Sequence, residues 1–188
     1  MSSFNTGENW ADDNEPTSGN DYFTGEFGLR TPTTSSNYTF EGDSLTIDGG
    51  QLIYKVNGDR TITVENLTFS DGSFGQGGGS GGTGLIATLD GNITLAAGKF
   101  GNFNTGVART INITAPISGS GEFRTQNTGT LNLQGINSYT GNTVISDAST
   151  TFNLIDNAGM LFSIGASGVN NSVSGLGNAN FNHTFSDK

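Results

Sequence analysis

The sequence contains no cysteine, so it offers neither a disulfide framework nor a thiolate metal site. It holds a single histidine, His183, near its end. A Ser-His-Asp arrangement needs its histidine held rigidly by a third group, and a frayed tail is a poor place for that. Charge is scarce as well. Only 13% of residues are charged, against roughly 25% in globular domains. Asn, Thr, Ser and Gly stand where Lys and Glu would be, which argues against helices. Bases are scarcest, with 7 Lys and Arg against 17 acids and a net charge of −10. That excludes the basic footprint that nucleic acid requires, and it speaks against anionic membrane surfaces. No apolar run approaches the ~18 residues of a membrane span. The opening Met-Ser-Ser-Phe-Asn lacks a basic-then-apolar signal pattern. If the protein is exported, this chain is a piece of a longer precursor.

What is present is glycine and short alternation. The 30 glycines among 188 residues are about twice the usual share, and they suit short strands joined by many turns. Apolar residues recur at i and i+2 around one polar residue, which is the period of a strand with one buried face. Such pairs fall at Leu45/Ile47, Leu67/Phe69, Ile93/Leu95, Ile111/Ile113, Leu131/Leu133 and Phe152/Leu154. Their spacing runs from 18 residues (93 to 111) to 26 (67 to 93), the signature of a stacked repeat. No single run is long enough to be stable alone, so each must bury its face against copies above and below. The pattern predicts an all-β chain, a right-handed parallel β-solenoid of about six coils, rising about 4.8 Å per coil. The rival fold is an antiparallel β-sandwich, which also shows short, regularly spaced strands. Polar Thr and Asn at the outward positions, able to stack in ladders, favour the solenoid.

Three segments follow from this. Residues 1–28 form an irregular N-terminal cap with one short strand at Tyr22-Phe23-Thr24; Pro16, Gly19 and Gly25 interrupt anything longer. Residues 29–177 form the solenoid. Residues 178–188 are a tail or a last strand. Gly75 to Gly84 is low in complexity and reads as a surface loop. It is no phosphate loop, because no Gly-Lys-Ser/Thr closes it.

The stretch Gly129-x-Leu131-x-Leu133-x-Gly135-x-Asn137-x-Tyr139-Thr140-Gly141-x-Thr143-Val144 resembles the autotransporter-associated β-strand repeat, in the style of verrucomicrobial and planctomycetal secreted proteins. Leu161 to Gly175 resembles the segment that often follows such repeats, and Asn9-Trp10 with Pro16 and Asp21 resembles the opening that precedes them. The clear match covers 129–177, near a quarter of the chain. The family usually places Gly-Thr-Leu after the second strand; Ser146-Asp-Ala-Ser-Thr150 stands here instead. The resemblance implies an exported passenger-type β-solenoid at the cell surface and carries over no catalytic residues. Within the motif, Gly135 and Gly141 are suited to positive φ at coil corners. Asn137 can bond backbone or extend an Asn ladder, and Tyr139 can pack or cap the corner.

Candidate chemistry is thin. Asp43, Asp48, Asp59, Glu65, Asp71 and Asp90 are of the right type for glycoside hydrolysis, which needs two acids about 5 to 9.5 Å apart in a cleft. Most stand in turn contexts that explain them without catalysis, so the chain reads as a non-enzyme. Asp12, Asp13, Asn14 and Asp21 offer hard oxygen ligands suited to calcium, without EF-hand spacing; no other cofactor is indicated. Trp10, Tyr22, Tyr38, Tyr54 and Tyr139 are candidates for stacking on sugars, with Asp and Asn nearby. Thr61-Ile-Thr63 and Thr110 to Thr114 are similar to ice-binding arrays, but the Thr positions do not recur in strict register. The leading expectation is a structural or adhesive segment of an exported surface protein. Its partners would be an extracellular glycan or another surface protein, and its open ends could associate end to end. A carbohydrate-binding module is the alternative, and a polysaccharide-degrading β-helix enzyme the third reading.

Overall fold

The computed structural model describes residues 3–76, 84–146, 150–155, 173–174 and 180–184. After a single 3-10 turn at Gly7–Asn9, strands β1 (Asp21–Phe23) and β2 (Gly28–Arg30) begin the stack. The first coil holds β3 (Tyr38–Thr39), β4 (Ser44–Asp48) and β5 (Gln51–Tyr54). The second holds one long bent strand, β6 (Arg60–Ser70), and β7 (Gly72–Gln76). The third repeats this with β8 (Ile86–Leu95) and β9 (Phe100–Asn104). The fourth holds β10 (Thr110–Ile113), β11 (Ile117–Gly119) and β12 (Glu122–Gln126). The fifth holds β13 (Thr130–Leu133) and β14 (Thr143–Ile145). Beyond it lie β15 (Thr151–Ile155), β16 (Val173–Ser174) and β17 (Asn180–Thr184).

These strands make two parallel sheets, in which each strand pairs with the equivalent strand one coil away. Parallel pairing throughout the described strands rules out the antiparallel sandwich and makes the fold a parallel β-solenoid of about five turns. The larger sheet has two flat faces. One is built by the first half of β6 and β8 with β3, β10, β13, β15 and β17. The other is built by the second halves of β6 and β8 with β1, β4 and β11. The third face of the coil is the smaller sheet, β2-β5-β7-β9-β12-β14-β16.

A bulge between Val64 and Asn66 turns β6 from one face to the next. Opposite it, Gly91 has φ +109°, and a Cβ there would lie 1.9 Å from the Val64 carbonyl oxygen. Only glycine fits so tight a corner.

The six apolar pairs do not share one face. Leu45/Ile47, Leu67/Phe69 and Ile93/Leu95 stack on one, whereas Ile111/Ile113, Leu131/Leu133 and Phe152/Leu154 stack on another. The short interval from 93 to 111 is where the count slips between faces. About five turns are therefore complete among the described residues, with a sixth begun by β15 and β16.

Burial alternates strictly along β5, β10 and β13. The columns Leu29–Leu52–Phe74–Phe103 and Ala87–Ile111–Leu131–Phe152 run through the interior, and all their members are buried. Each Leu, Ile or Phe among them contributes about 1.5–3 kcal/mol. Phe103 stacks on Phe123 at 4.7 Å, and Phe123 on Tyr139 at 5.8 Å. On the outside, Asn132 Nδ2 donates to Asn112 Oδ1 and Asn153 Nδ2 to Asn132 Oδ1, each at 2.7 Å. This is the expected ladder. The register also sets Thr110, Thr130 and Thr151 in one outward column, two residues before the Asn ladder in the same strands.

The cap differs from its expected bounds. The short strand begins at Asp21, and it already pairs with β4 inside the larger sheet. The irregular part is thus residues 3–20. His183 sits in β17 opposite Leu154, so its backbone belongs to a strand. Residues 77–83 of the glycine-rich stretch, 147–149 of the departure after Ile145, and most of the Leu161–Gly175 match lie outside the described residues.

Candidate functional site

The aromatic candidates separate into three places. Tyr54 and Tyr139 are fully buried, so neither ring has a face for a sugar. The Tyr54 hydroxyl donates to the Gly58 carbonyl at 2.8 Å and accepts the Arg60 N–H at 3.0 Å, which closes the turn between the first and second coils. Burial pushes its pKa up to about 12. Tyr139 shares a 2.6 Å hydrogen bond with the Thr143 hydroxyl, and burial raises its pKa further still. Tyr38 is half-buried on β3.

Trp10 and Tyr22 do come together, and they do so as a plug. Trp10 Nε1 donates to the Phe4 carbonyl at 3.0 Å. Its ring meets Tyr22 at 4.8 Å with 64° between planes, and Phe40 packs against both. Crossed planes close the end of the interior rather than offering a flat platform.

The oxygen-rich residues stay apart. Asp12, Asp13 and Asn14 are exposed. Asp12 Oδ1 accepts the Asn14 N–H at 3.2 Å, and Asn14 Nδ2 returns to the Asp12 carbonyl at 2.7 Å. Asp13 occupies the left-handed region, φ 56°. This is local turn chemistry. Asp21 Oδ1 accepts the Ser44 hydroxyl on the next strand at 2.5 Å. No group of three or more His, Asp or Glu side chains placed to hold a metal gathers among the described residues.

Three of the six carboxylates weighed for hydrolysis, Asp59, Asp71 and Asp90, bond neighbouring coils. Asp59 Oδ1 accepts the Ile86 N–H at 2.7 Å, and Asp90 Oδ1 accepts the Thr114 hydroxyl at 2.8 Å. Asp71 pairs with Lys99 at 2.6 Å and also accepts the Phe100 N–H. The Lys99 hydrogen bond holds the Asp71 carboxyl below its ordinary range and raises the ammonium in turn. Arg124 pairs with Glu122 and lies 3.9 Å from the centre of the Phe100 ring.

Surface concavities form at three places among the described residues. One of about 610 Å³ lies beside Asn37, Asp59 and Arg60, and one of about 320 Å³ beside Lys99, Glu122 and Arg124. The third, about 650 Å³, runs between the cap and the turn joining β1 to β2. Each contains one carboxylate residue: Asp59, Glu122 and Glu8 respectively. None holds the pair that general acid–base cleavage of a glycoside requires.

The third concavity is the candidate site, a groove with Trp10, Phe23, Phe27 and Leu29 as its apolar wall and Glu8 and Arg30 at its edge. Phe23 is 63% exposed and Phe27 80%. Exposed large apolar side chains gathered in one place signal a binding surface. Sequence reasoning missed Phe23, Phe27 and Arg30. The available signal was Phe27, an aromatic out of the period-2 rhythm in the turn Gly25-Glu-Phe-Gly28.

No family model matches the chain, and neither a curated protein nor a solved structure shows significant similarity to it. What the chain can do is therefore argued from its own geometry. Among the described residues it offers a parallel stack and an apolar groove at its N-terminal end.

Proposed function

We propose that this chain is a non-catalytic structural segment of an exported bacterial surface protein, a stalk that carries and spaces other parts. The observation that carries the reading is the unbroken coil-to-coil stacking of buried columns from Leu29 to Ile145. Such a stack is stiff and satisfies its own backbone, and its length scales with the number of coils. The outward Asn and Thr ladders leave a polar, weakly charged surface, suited to projecting from a cell. The resemblance of residues 129–145 to the autotransporter-associated repeat points the same way.

The test is surface display. The chain is fused between an outer-membrane anchor and an epitope tag and expressed in a Gram-negative host. The reading expects the epitope to reach the surface, with the solenoid resisting external trypsin. Retention inside the cell, or rapid digestion of the displayed solenoid, sinks it. A glycan array on the purified protein separates the alternative. Binding to one glycan class, lost in Phe27→Ser, would replace the stalk with a carbohydrate-binding module.

A further inference from the structure

The face of the larger sheet built by β10, β13 and β15 with the first halves of β6 and β8 carries an outward grid. Thr61, Thr88, Asn112, Asn132 and Asn153 follow one another in strict register through those strands. Beside them, two residues earlier in each strand, stand Ile86, Thr110, Thr130 and Thr151. Burial alternates along the first half of β8 and along β10, β13 and β15. Ala87, Ile111, Leu131 and Phe152 turn inward, so both columns face solvent. In three successive coils the rows read Thr-x-Asn, at 110/112, 130/132 and 151/153. This corrects the expectation that the threonines do not recur in register.

Spacing and order set this grid apart. Rows lie about 4.8 Å apart between coils, and the two columns about 6.6 Å apart along each strand. Water oxygens on the prism face of ice repeat in a rectangle of similar size and proportions. The amides are held in place by the ladder, in which Asn132 Nδ2 donates to Asn112 Oδ1 and accepts at Oδ1 from Asn153 Nδ2, each at 2.7 Å. That takes one N–H and one lone pair of Asn132 and leaves a second of each for water. Threonine is stiff at χ1 because its Cβ is branched. An array that is already ordered loses little freedom when it organises water.

Charge is absent from both columns, on a chain of net charge −10. A charged side chain would hold a hydration shell of its own and interrupt the lattice. In the next column, Asp90 is bonded to the Thr114 hydroxyl at 2.8 Å. The second flat face also has a hydroxyl column, Thr46, Thr68, Thr94 and Ser118. Its amides, Asn66 and Asn92, donate instead to the carbonyls of Asp43 and Glu65, so they form no ladder.

We propose that the Thr-x-Asn grid is an ice-binding face and that the chain arrests the growth of ice crystals. Water ordered on the hydroxyls and amides joins the crystal surface. Molecules anchored there force the front to bulge between them, and a curved front freezes at a lower temperature than a flat one. The proposal goes beyond the stalk reading and does not depend on it.

The purified full chain is held around a single ice crystal in a nanolitre osmometer. The proposal expects a gap between melting and freezing temperatures that widens with protein concentration, and a faceted crystal. Thr130→Lys, which sets a charge in the middle of the grid, should lose the gap. Thr68→Lys, at a half-buried position on the second face as Thr130 is on the first, should keep it. Thermal melts by circular dichroism check that each variant is folded. Thr110→Lys, one coil away in the same column, takes the place of Thr130→Lys if that variant unfolds. Three results overturn the proposal. They are a gap no wider than an equal concentration of serum albumin gives, a gap that survives the lysine in the grid, and a gap lost equally in Thr68→Lys.

Discussion

Tyr54 shows how one hydroxyl can hold a coil boundary. It sits fully buried, yet satisfies the Gly58 carbonyl and the Arg60 N–H that would otherwise be orphaned. Tyr54→Phe removes both bonds while keeping the ring, and should cost about 1–3 kcal/mol, read as a lower denaturant midpoint with unchanged slope. The same residue sets a pH limit. Its pKa rises from 10.0 in the unfolded reference to about 12 in the fold. The native state keeps a proton that the unfolded chain gives up, so stability is full below pH 10 and falls as pH climbs toward 12. Tyr139 moves in the same direction for the same reason. Melting temperatures measured across that alkaline range should drop together with the appearance of phenolate absorbance. A flat profile would mean that neither ring is buried.

Glycine in the repeat motif works differently from its sequence reading. Gly135 and Gly141 are not among the positive-φ residues. They are small because coils touch there: a Cβ on Gly135 would lie 2.3 Å from the Ala115 carbonyl oxygen, and one on Gly141 1.9 Å from that of Gly121. Gly141→Ala should therefore destabilise by about 1–3 kcal/mol through overpacking against backbone, as a calorimetric melt would show; an unchanged melt would mean that the coils part easily. Asn137 likewise reaches across the stack, its Oδ1 accepting the Ile117 N–H at 3.2 Å.

At the scale of the element, the unit is a strand that is buried on one side and paired on both edges. β12 is typical. Phe123 is fully buried between Phe103 and Tyr139 and meets Phe152 at 6.2 Å across the interior. Phe123→Ala empties the middle of that column and should cost about 3–5 kcal/mol, measured by equilibrium unfolding. A loss under about 1 kcal/mol would mean that neighbouring coils collapse into the space. The elements were readable because alternation survives in each one. Their assignment to faces was not, because β6 and β8 bend within a single run, and a two-residue period carries no mark of the corner. The groove was hidden for the same reason. Phe27 is far from Trp10 along the chain, and only the turn between β1 and β2 lays it beside the cap.

For the whole molecule, packing and backbone pairing dominate over charge. Among the described residues there are two ion pairs, Lys99–Asp71 and Arg124–Glu122, both partly exposed. The acids exceed the bases by ten, so the net electrostatic effect on the fold is self-repulsion. Added sodium chloride should therefore raise the melting temperature by screening. A fall would show that the two pairs outweigh the repulsion.

The amino-acid sequence by itself determined the class of this protein. Its alternation, its glycine and its shortage of charge leave short strands with one apolar face, and such strands persist only when stacked. It also determined the outward Asn ladder, because Asn112, Asn132 and Asn153 hold the same place in their runs. Tertiary structure alone decided which aromatics are core and which are surface. Trp10, Tyr54 and Tyr139 turned inward because an end and two corners of the stack needed filling, while Phe23 and Phe27 were left at an open strand edge. Burial of that kind depends on which coil lies above and which below, and no local pattern records it.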